Sequence, residues 1–269
     1  MRKVYELKGG CCSCISCRPK NLVAVEDISF GLEAGECFSL LGVNGAGKST
    51  TFKSLTREVE PTSGSIHIGA YDIRKEFNKI KKLIGYCPQT NPITEYMSVE
   101  ENIDYFARIK GIPESHRDKL VNKAIVQLDL DSHRNKMAGA LSGGNKRKLS
   151  VAMAVVGSPP IILLDEPSAG MDPEARRFMW RVVGQIASDK TSAVILTTHS
   201  MEEAEALSTK MGIMVKGGIF KCFGTSQHIK DKFGTGYVIE VKAQQPGVEE
   251  IEEVRQGILS PDKVEDPAV

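Results

Sequence analysis

Five apolar-leaning residues, Cys37 to Leu41, run directly into a segment with glycine at positions 42, 45 and 47, which opens a stretch of helical composition from Lys48 to Leu55. Few local sequences restrict a fold so sharply. The order is strand, glycine loop, helix, and Gly42-Val-Asn-Gly-Ala-Gly-Lys48-Ser49 fits the P-loop spacing. Small residues there let consecutive backbone N–H groups wrap phosphate oxygens at a helix N-terminus, where the helix dipole favours negative charge. The expected phosphate-binding set is Gly42, Asn44, Gly45, Gly47, Lys48, Ser49 and Thr50. Lys48 would reach the β and γ phosphates and Ser49 would hold Mg2+. An ordinary glycine turn is the competing reading, and the flanking strand and helix argue against it.

A second apolar run, Ile161 to Leu164, delivers two carboxylates, Asp165 and Glu166. Ligands of open parallel sheets bind at the C-terminal ends of strands, which is where these carboxylates fall. Asp165 can complete a Mg2+ shell through water, leaving Glu166 to polarise an attacking water as general base. Without the glycine loop, the same pair would read as a solvated strand end.

Leu141-Ser142-Gly143-Gly144 opens a helix whose first turn carries Lys146, Arg147 and Lys148. Cations at that end oppose the helix dipole, so either an anion arrives there or the turn is a solvated basic face.

Around these motifs the chain reads as alternating strands and helices, the pattern of a parallel sheet covered on both faces. Strands are expected at Arg2–Glu6, Leu22–Leu32, Ser65–Ile68, Leu83–Tyr86, Ile161–Leu164 and Ala193–Thr197, with a hairpin of Met211–Val215 and Ile219–Phe223 about Gly217-Gly218. Helices are expected from about Val99 to Ile112, Arg117 to Leu128, Ser142 to Val156, Pro173 to Ala187 and Met201 to Leu207. A final strand, Tyr237–Val241, and a Glu-rich helix, Val248–Ile258, cannot close a core and read as the opening of a further small domain. With 35 basic and 34 acidic residues scattered along 269, no polybasic face argues for nucleic acid. The most apolar stretch, Leu149 to Leu164, is broken at Gly157-Ser-Pro-Pro160 and falls short of a bilayer span. The start, Met1 to Lys8, lacks a signal-peptide core, so a soluble chain in the cytosol is expected.

Taken in order, the P-loop, Leu141-Ser-Gly-Gly144, Asp165-Glu166 and His199 resemble the nucleotide-binding domain of an ABC transporter. The wording is most similar to ABC subfamily A, the lipid transporters: Leu-Leu-Gly-Val-Asn-Gly-Ala-Gly-Lys-Ser, Leu-Ser-Gly-Gly-Asn-Lys-Arg-Lys, Pro-Ser-Ala-Gly-Met-Asp-Pro and Thr-Thr-His-Ser-Met-Glu-Glu-Ala. The resemblance spans roughly Ala24 to Val241. It implies an α/β P-loop NTPase core with a mixed or parallel sheet, an antiparallel β subdomain and an inserted helical subdomain, the ABC ATPase fold. The nucleotide-binding domain would run over 1–235, with the helical insertion at about 91–152, and 236–269 would begin a C-terminal extension.

The same resemblance implies MgATP hydrolysis between two such domains arranged head to tail, with Ser142, Gly143 and Gly144 contacting ATP held by the opposite copy. Gln89 would be the family's glutamine between lobes and a metal ligand with Ser49 and Asp165. His199 would sense the γ-phosphate, and Asp172 would face the partner's P-loop. Lys48, Gln89, Glu166 and His199 form the implied catalytic set. The remaining partner would be a transmembrane domain, of the same or another polypeptide, with this chain on the cytosolic face of a membrane. An ATPase subunit of a small drug or polysaccharide exporter, and a nucleotide-gated module that closes without useful hydrolysis, share the motifs.

Three departures stand out: Asn145 where the general pattern has Gln, Arg57 in place of the glycine that usually ends the P-loop helix, and the run Cys11, Cys12, Cys14, Cys17. Tyr5 is read either as the aromatic on which adenine stacks or as a surface strand residue. The cysteine run is an exposed loop, an acylated segment beside a membrane, or a metal site.

Overall fold

A computed structural model describes residues 1–7 and 20–233. Met1–Lys232 forms one compact unit and Phe233–Val269 a second, of which only Phe233 is described. The cysteine run, the strand expected at Tyr237–Val241 and the helix expected at Val248–Ile258 lie outside the described residues.

Numbered along the chain, β1 (Lys3–Leu7) pairs antiparallel with β2 (Lys20–Val25). The P-loop unit follows as β3 (Cys37–Gly42) and α1 (Lys48–Leu55). A two-residue ladder, β4 (His67–Ile68) with β5 (Tyr71–Asp72), and the short α2 (Phe77–Ile80) precede β6 (Ile84–Cys87). Three helices come next: α3 (Val99–Ile109), α4 (Glu114–Gln127) and α5 (Gly143–Val155). The chain then alternates through β7 (Ile161–Asp165), α6 (Pro173–Ser188), β8 (Ala193–Thr198) and α7 (Met201–Leu207). It continues through the antiparallel pair β9 (Lys210–Val215) and β10 (Ile219–Gly224) into α8 (Ser226–Phe233).

Six strands form the central sheet in the order β10-β9-β3-β8-β7-β6, parallel except at the β10-β9 edge. Side chains alternate across it as strand pleating requires. Ile162, Leu164, Val194 and Leu196 face a core shared with α3 to α6, while Leu163, Ile195, Phe38 and Leu40 face the core that holds Phe52 of α1. Burial on both faces explains why these strands read as continuous apolar runs rather than as alternation. Phe52 is fully buried, so truncation to Ala would cost about 3 to 5 kcal/mol and loosen α1 from the sheet.

Helix starts are encoded locally. Ser98 and Glu101 close a capping box on α3, Asp172 caps α6 ahead of Pro173, and Ser200 caps α7. Arg57 explains one sequence departure: it takes φ 57° just past α1, the left-handed position a glycine usually fills, and its guanidinium lies 5.6 Å from the Phe77 ring centroid.

The strand expected over Leu22–Leu32 ends at Val25. Beyond it, Ile28 is buried and Phe30 stacks on Phe38 at 4.8 Å, so apolar periodicity there reports packing onto the sheet rather than a ladder partner. The strand expected over Ser65–Ile68 shrinks to two residues, and α2, β5 and α8 were not anticipated. Among the described residues no helix is long and apolar enough to cross a membrane.

Candidate active site

Every candidate catalytic segment emerges from the same edge of the sheet, the C-terminal ends of β3, β6, β7 and β8. The loop after β3 is shaped by close backbone approach. A Cβ on Gly42 would sit 2.6 Å from Met214 O, and one on Gly47, at φ 102°, would sit 2.5 Å from Ala24 O. Gly45 adds φ 79°. These values put the loop where L-residues are strained and turn its amides toward the start of α1. No side chain caps that start, so its first-turn N–H groups are left for a ligand.

Lys48 is only 7% exposed, and its ammonium donates to Gly42 O at 2.5 Å and Val43 O at 3.2 Å. It thereby ties the loop that it completes. Burial pulls its pKa below the ordinary lysine value, with Glu166 and Asp165 pulling the other way.

Asp165, 5% exposed, accepts a hydrogen bond from Thr197 Oγ1 at 2.5 Å. Burial pushes its carboxyl above the usual aspartate value, and that hydrogen bond with the charges of Arg147 and Lys48 opposes the rise. Glu166 adopts φ 51°, a left-handed conformation that costs a non-glycine residue about 1 to 3 kcal/mol. Its N–H donates to Thr197 O at 3.2 Å and Thr197 Oγ1 at 3.0 Å, which hold the strained turn. Glu166 Oε1 lies 3.5 Å from His199 Nδ1 on the neighbouring strand end.

A cleft of about 300 Å³ brings together Asn44, Gly45, Gly47, Lys48, Ser49, Thr50, Gln89 and Glu166, with Tyr5, Leu22 and Ala24 at its side. Tyr5 therefore borders the phosphate loop, with Lys3 Nζ 5.0 Å from its ring centroid. Ser49 and Gln89 line the cleft, while Asp165 and His199, on either side of Glu166, do not; the oxygens of Ser49, Gln89 and Asp165 are of the kind a hard divalent cation takes. Among the described residues no three His, Cys, Asp or Glu converge as a metal cage, so an ion here would complete its shell from phosphate and water.

Ser142, Gly143, Gly144 and Asp172 do not line this cleft. Ser142 Oγ caps α5 by accepting from Asn145 N at 3.3 Å, and Asp172 accepts from Ala175 N at 3.0 Å. Gly143 and Gly144 do not need to be glycine for their own chain: neither has positive φ, and a Cβ on either would meet no heavy atom within 4 Å.

Of the three cations at this helix start, the solvated-face reading fails for Arg147, and both lysines have acidic partners within the chain. Lys146 lies 3.7 Å from Glu95, and Lys148 pairs with Asp129 at 3.2 Å with its ammonium 4.3 Å from the Phe178 ring centroid. Arg147 is 3% exposed and bonded to backbone on both sides of the site. Its spacing to Ser150, Val151 and Ala154, all buried, is the helical period that marks a core-facing position. Thr197, which bonds both Asp165 and Glu166, is invisible in the sequence, because a threonine inside an apolar strand carries no motif.

Residues 25–169, more than half of the chain, match the protein family described as ABC transporter. Over 230 residues the chain is 47% identical to the Phospholipid-transporting ATPase ABCA3 of Rattus norvegicus, covering 86% of this chain and 13% of that protein. A solved structure described as the ATP binding subunit of an ABC transporter superposes with TM-score 0.70 at 27% identity, covering 87% of this chain and 93% of that one. A dimeric post-hydrolysis state of an ATP-binding cassette, bound to ADP and Pi, shares the fold at TM-score 0.72 and 21% identity, covering 83% and 95%. With the strand order, the glycine loop and the paired carboxylates already in place, these matches settle membership: the chain belongs to the ABC transporter family.

Proposed function

We propose that this chain binds and hydrolyses MgATP in a head-to-tail pair of such domains and drives the transport of a lipid across a membrane from its cytosolic face. The observation that carries the reading is the division of the site. Lys48, Ser49, Gln89 and Glu166 share one cleft, while Ser142-Gly-Gly144 lies outside it with two glycines that its own fold does not require. A surface kept free of Cβ atoms at a helix N-terminus suits close approach by the phosphates of a nucleotide held by another copy. The dimeric cassette named above supports that arrangement.

In this reading the N–H groups of the loop and α1, with Lys48, bind the β and γ phosphates, and Tyr5 offers a face for adenine. Ser49, Asp165 and Gln89 would hold Mg2+, which when bound neutralises charge developing on the transferred phosphoryl group. Glu166 accepts the proton of the attacking water, and His199, 3.5 Å away, fixes the carboxylate and faces the γ-phosphate. Asp172 caps α6 and presents its turn to the partner's loop. Residues 1–235 act as the nucleotide-binding domain, 91–152 as the helical insertion that meets a transmembrane partner, and 236–269 as the start of an extension. The lipid assignment rests on subfamily-A wording and on the phospholipid-transporting relative.

Glu166→Gln should lower turnover about 10²- to 10⁴-fold with nucleotide affinity nearly unchanged. Turnover of the parental chain should rise faster than linearly with protein concentration. Parental-rate hydrolysis by Glu166→Gln would overturn the base assignment, and specific activity independent of concentration would overturn the pair. With the transmembrane partner present in vesicles, stimulation of hydrolysis by phospholipid supports the lipid reading, and stimulation by polysaccharide alone overturns it.

A further inference from the structure

Arg147 holds the chain on both sides of the site without lining it. Its guanidinium donates to six acceptors: Nε to Pro167 O at 3.2 Å, Nη1 to Pro88 O at 2.6 Å, Gln89 O at 3.2 Å and Asn91 Oδ1 at 3.3 Å, and Nη2 to Glu166 O at 3.0 Å and to Asp165 O. Five of the six are main-chain carbonyls, so the contacts fix the path of two chain segments rather than satisfying a charge. One segment, Pro88–Gln89, leaves β6. The other, Asp165–Pro167, leaves β7 and carries Glu166 in its strained conformation. Arg147 itself projects from the second turn of α5, whose first turn is Ser142-Gly-Gly144. The helix is anchored at its far end too, where Lys110 Nζ donates to Ala154 O at 2.6 Å and Val156 O at 3.1 Å. A rigid, planar fork with several donors is the group that can tie both segments to its own helix at once, and an ammonium on a flexible stem cannot reproduce it.

We propose that Arg147 is a positioning residue that couples the two sites of a pair: it sets Glu166 and Gln89 of its own site in register with the glycine helix that the same chain offers to its partner. Displacement of α5 by a nucleotide on the partner's side is thereby transmitted to the carbonyls of Gln89 and Glu166, and movement there is returned to α5. The proposal rests on the paired-domain ATPase reading above. Its test is built so that the two can fail separately.

The probe variant is Arg147→Lys, which keeps the charge and loses the fork. On the purified chain, binding of a fluorescent ATP analogue should change less than about threefold, while kcat falls about 10- to 100-fold. Coupling is read from mixed pairs in which only one site can turn over. Excess Glu166→Gln chain over Arg147→Lys chain leaves one active site, whose base belongs to the altered chain. Excess Arg147→Lys/Glu166→Gln chain over parental chain leaves one active site whose base is parental and whose glycine helix is altered. Each is compared with excess Glu166→Gln over parental chain, and both should be slowed about tenfold. Slowing in the first mixture alone makes Arg147 a local support for Glu166 and overturns the coupling. Normal rates in both overturn the proposal entirely. Parental-rate hydrolysis by Glu166→Gln alone brings down the underlying ATPase reading instead.

Should Arg147→Lys melt early, Asn91→Ala removes one acceptor on the Gln89 side and keeps the other five bonds. It should give the same split, unchanged analogue affinity with kcat lowered about threefold. An equal fall in affinity and rate would overturn positioning in favour of simple loss of structure.

Discussion

Two helices in this molecule begin at glycines, and they do so for opposite reasons. At the start of α1 the glycines are demanded from within: Gly47 at φ 102° packs against Ala24 O and Val25, and no side chain caps the helix. At the start of α5 they are not: Ser142 caps the helix, Gly143 and Gly144 have ordinary φ, and the space around them is open. The first turn is a cradle that folding builds and leaves without internal partners. The second is a finished helix end from which bulk has been withheld. A glycine that the chain's own geometry does not explain is thus evidence about what meets that surface from outside.

The sharpest way to break this contrast is Gly47→Ala. A Cβ there meets backbone rather than a pliable side chain, at a φ that alanine resists, so the substitution should cost about 2 to 4 kcal/mol and abolish ATP-analogue binding. Retained stability in urea titration would mean the loop relaxes freely, and the contrast would fail.

A second test concerns the far end of α5, where Lys110 bonds two carbonyls and burial brings its pKa down to about 8 from 10.5. Between those values the unfolded chain binds more protons than the folded one. Stability is therefore lowest below pH 8, where both forms are charged, and rises as pH climbs toward 10.5. Measured against Lys110→Met to cancel other lysines, the parental chain should gain about 1 to 3 kcal/mol over that window. A flat difference would show the ammonium held as comfortably as in water.

Ser142→Ala should cost about 1 kcal/mol by loss of the cap, and it should also slow turnover. A stability loss with unchanged turnover would confine Ser142 to capping. The smallest effect is the most telling. Gly144→Ala should leave the isolated chain unchanged or about 0.5 kcal/mol more stable, as a helix position gaining alanine does, while lowering ATPase turnover in the concentration range where pairs form. Destabilisation by Gly144→Ala would remove the distinction between the two helix starts.

Much of the cradle was legible because it is local: the glycine spacing, the apolar strands and the caps each act within a few residues. The fold of the core was likewise written in runs such as Ile161–Leu164. What escaped were features set by distant partners. The burial of Arg147 is hidden in the sequence because its acceptors come from segments 18 to 59 residues away, and only its spacing to Val151 and Ala154 hints at it. The end of β2 at Val25 was missed because Phe30 satisfies its apolar character by stacking on Phe38, which no pattern of alternation distinguishes from strand pairing. The contacts of Tyr5 with the cleft depend on β1 pairing with β2, so its position became visible only in three dimensions.

Thr197 carries a further consequence. One hydroxyl donates to Asp165 and accepts from the amide of Glu166, and two residues on, the same strand end brings His199 to Glu166. The spacing of the reacting groups is therefore inherited from the register between two buried strands, not from the loops around them. On heating, this half of the site should keep its alignment until the sheet itself gives way, because the contacts that set it are those of the two strands.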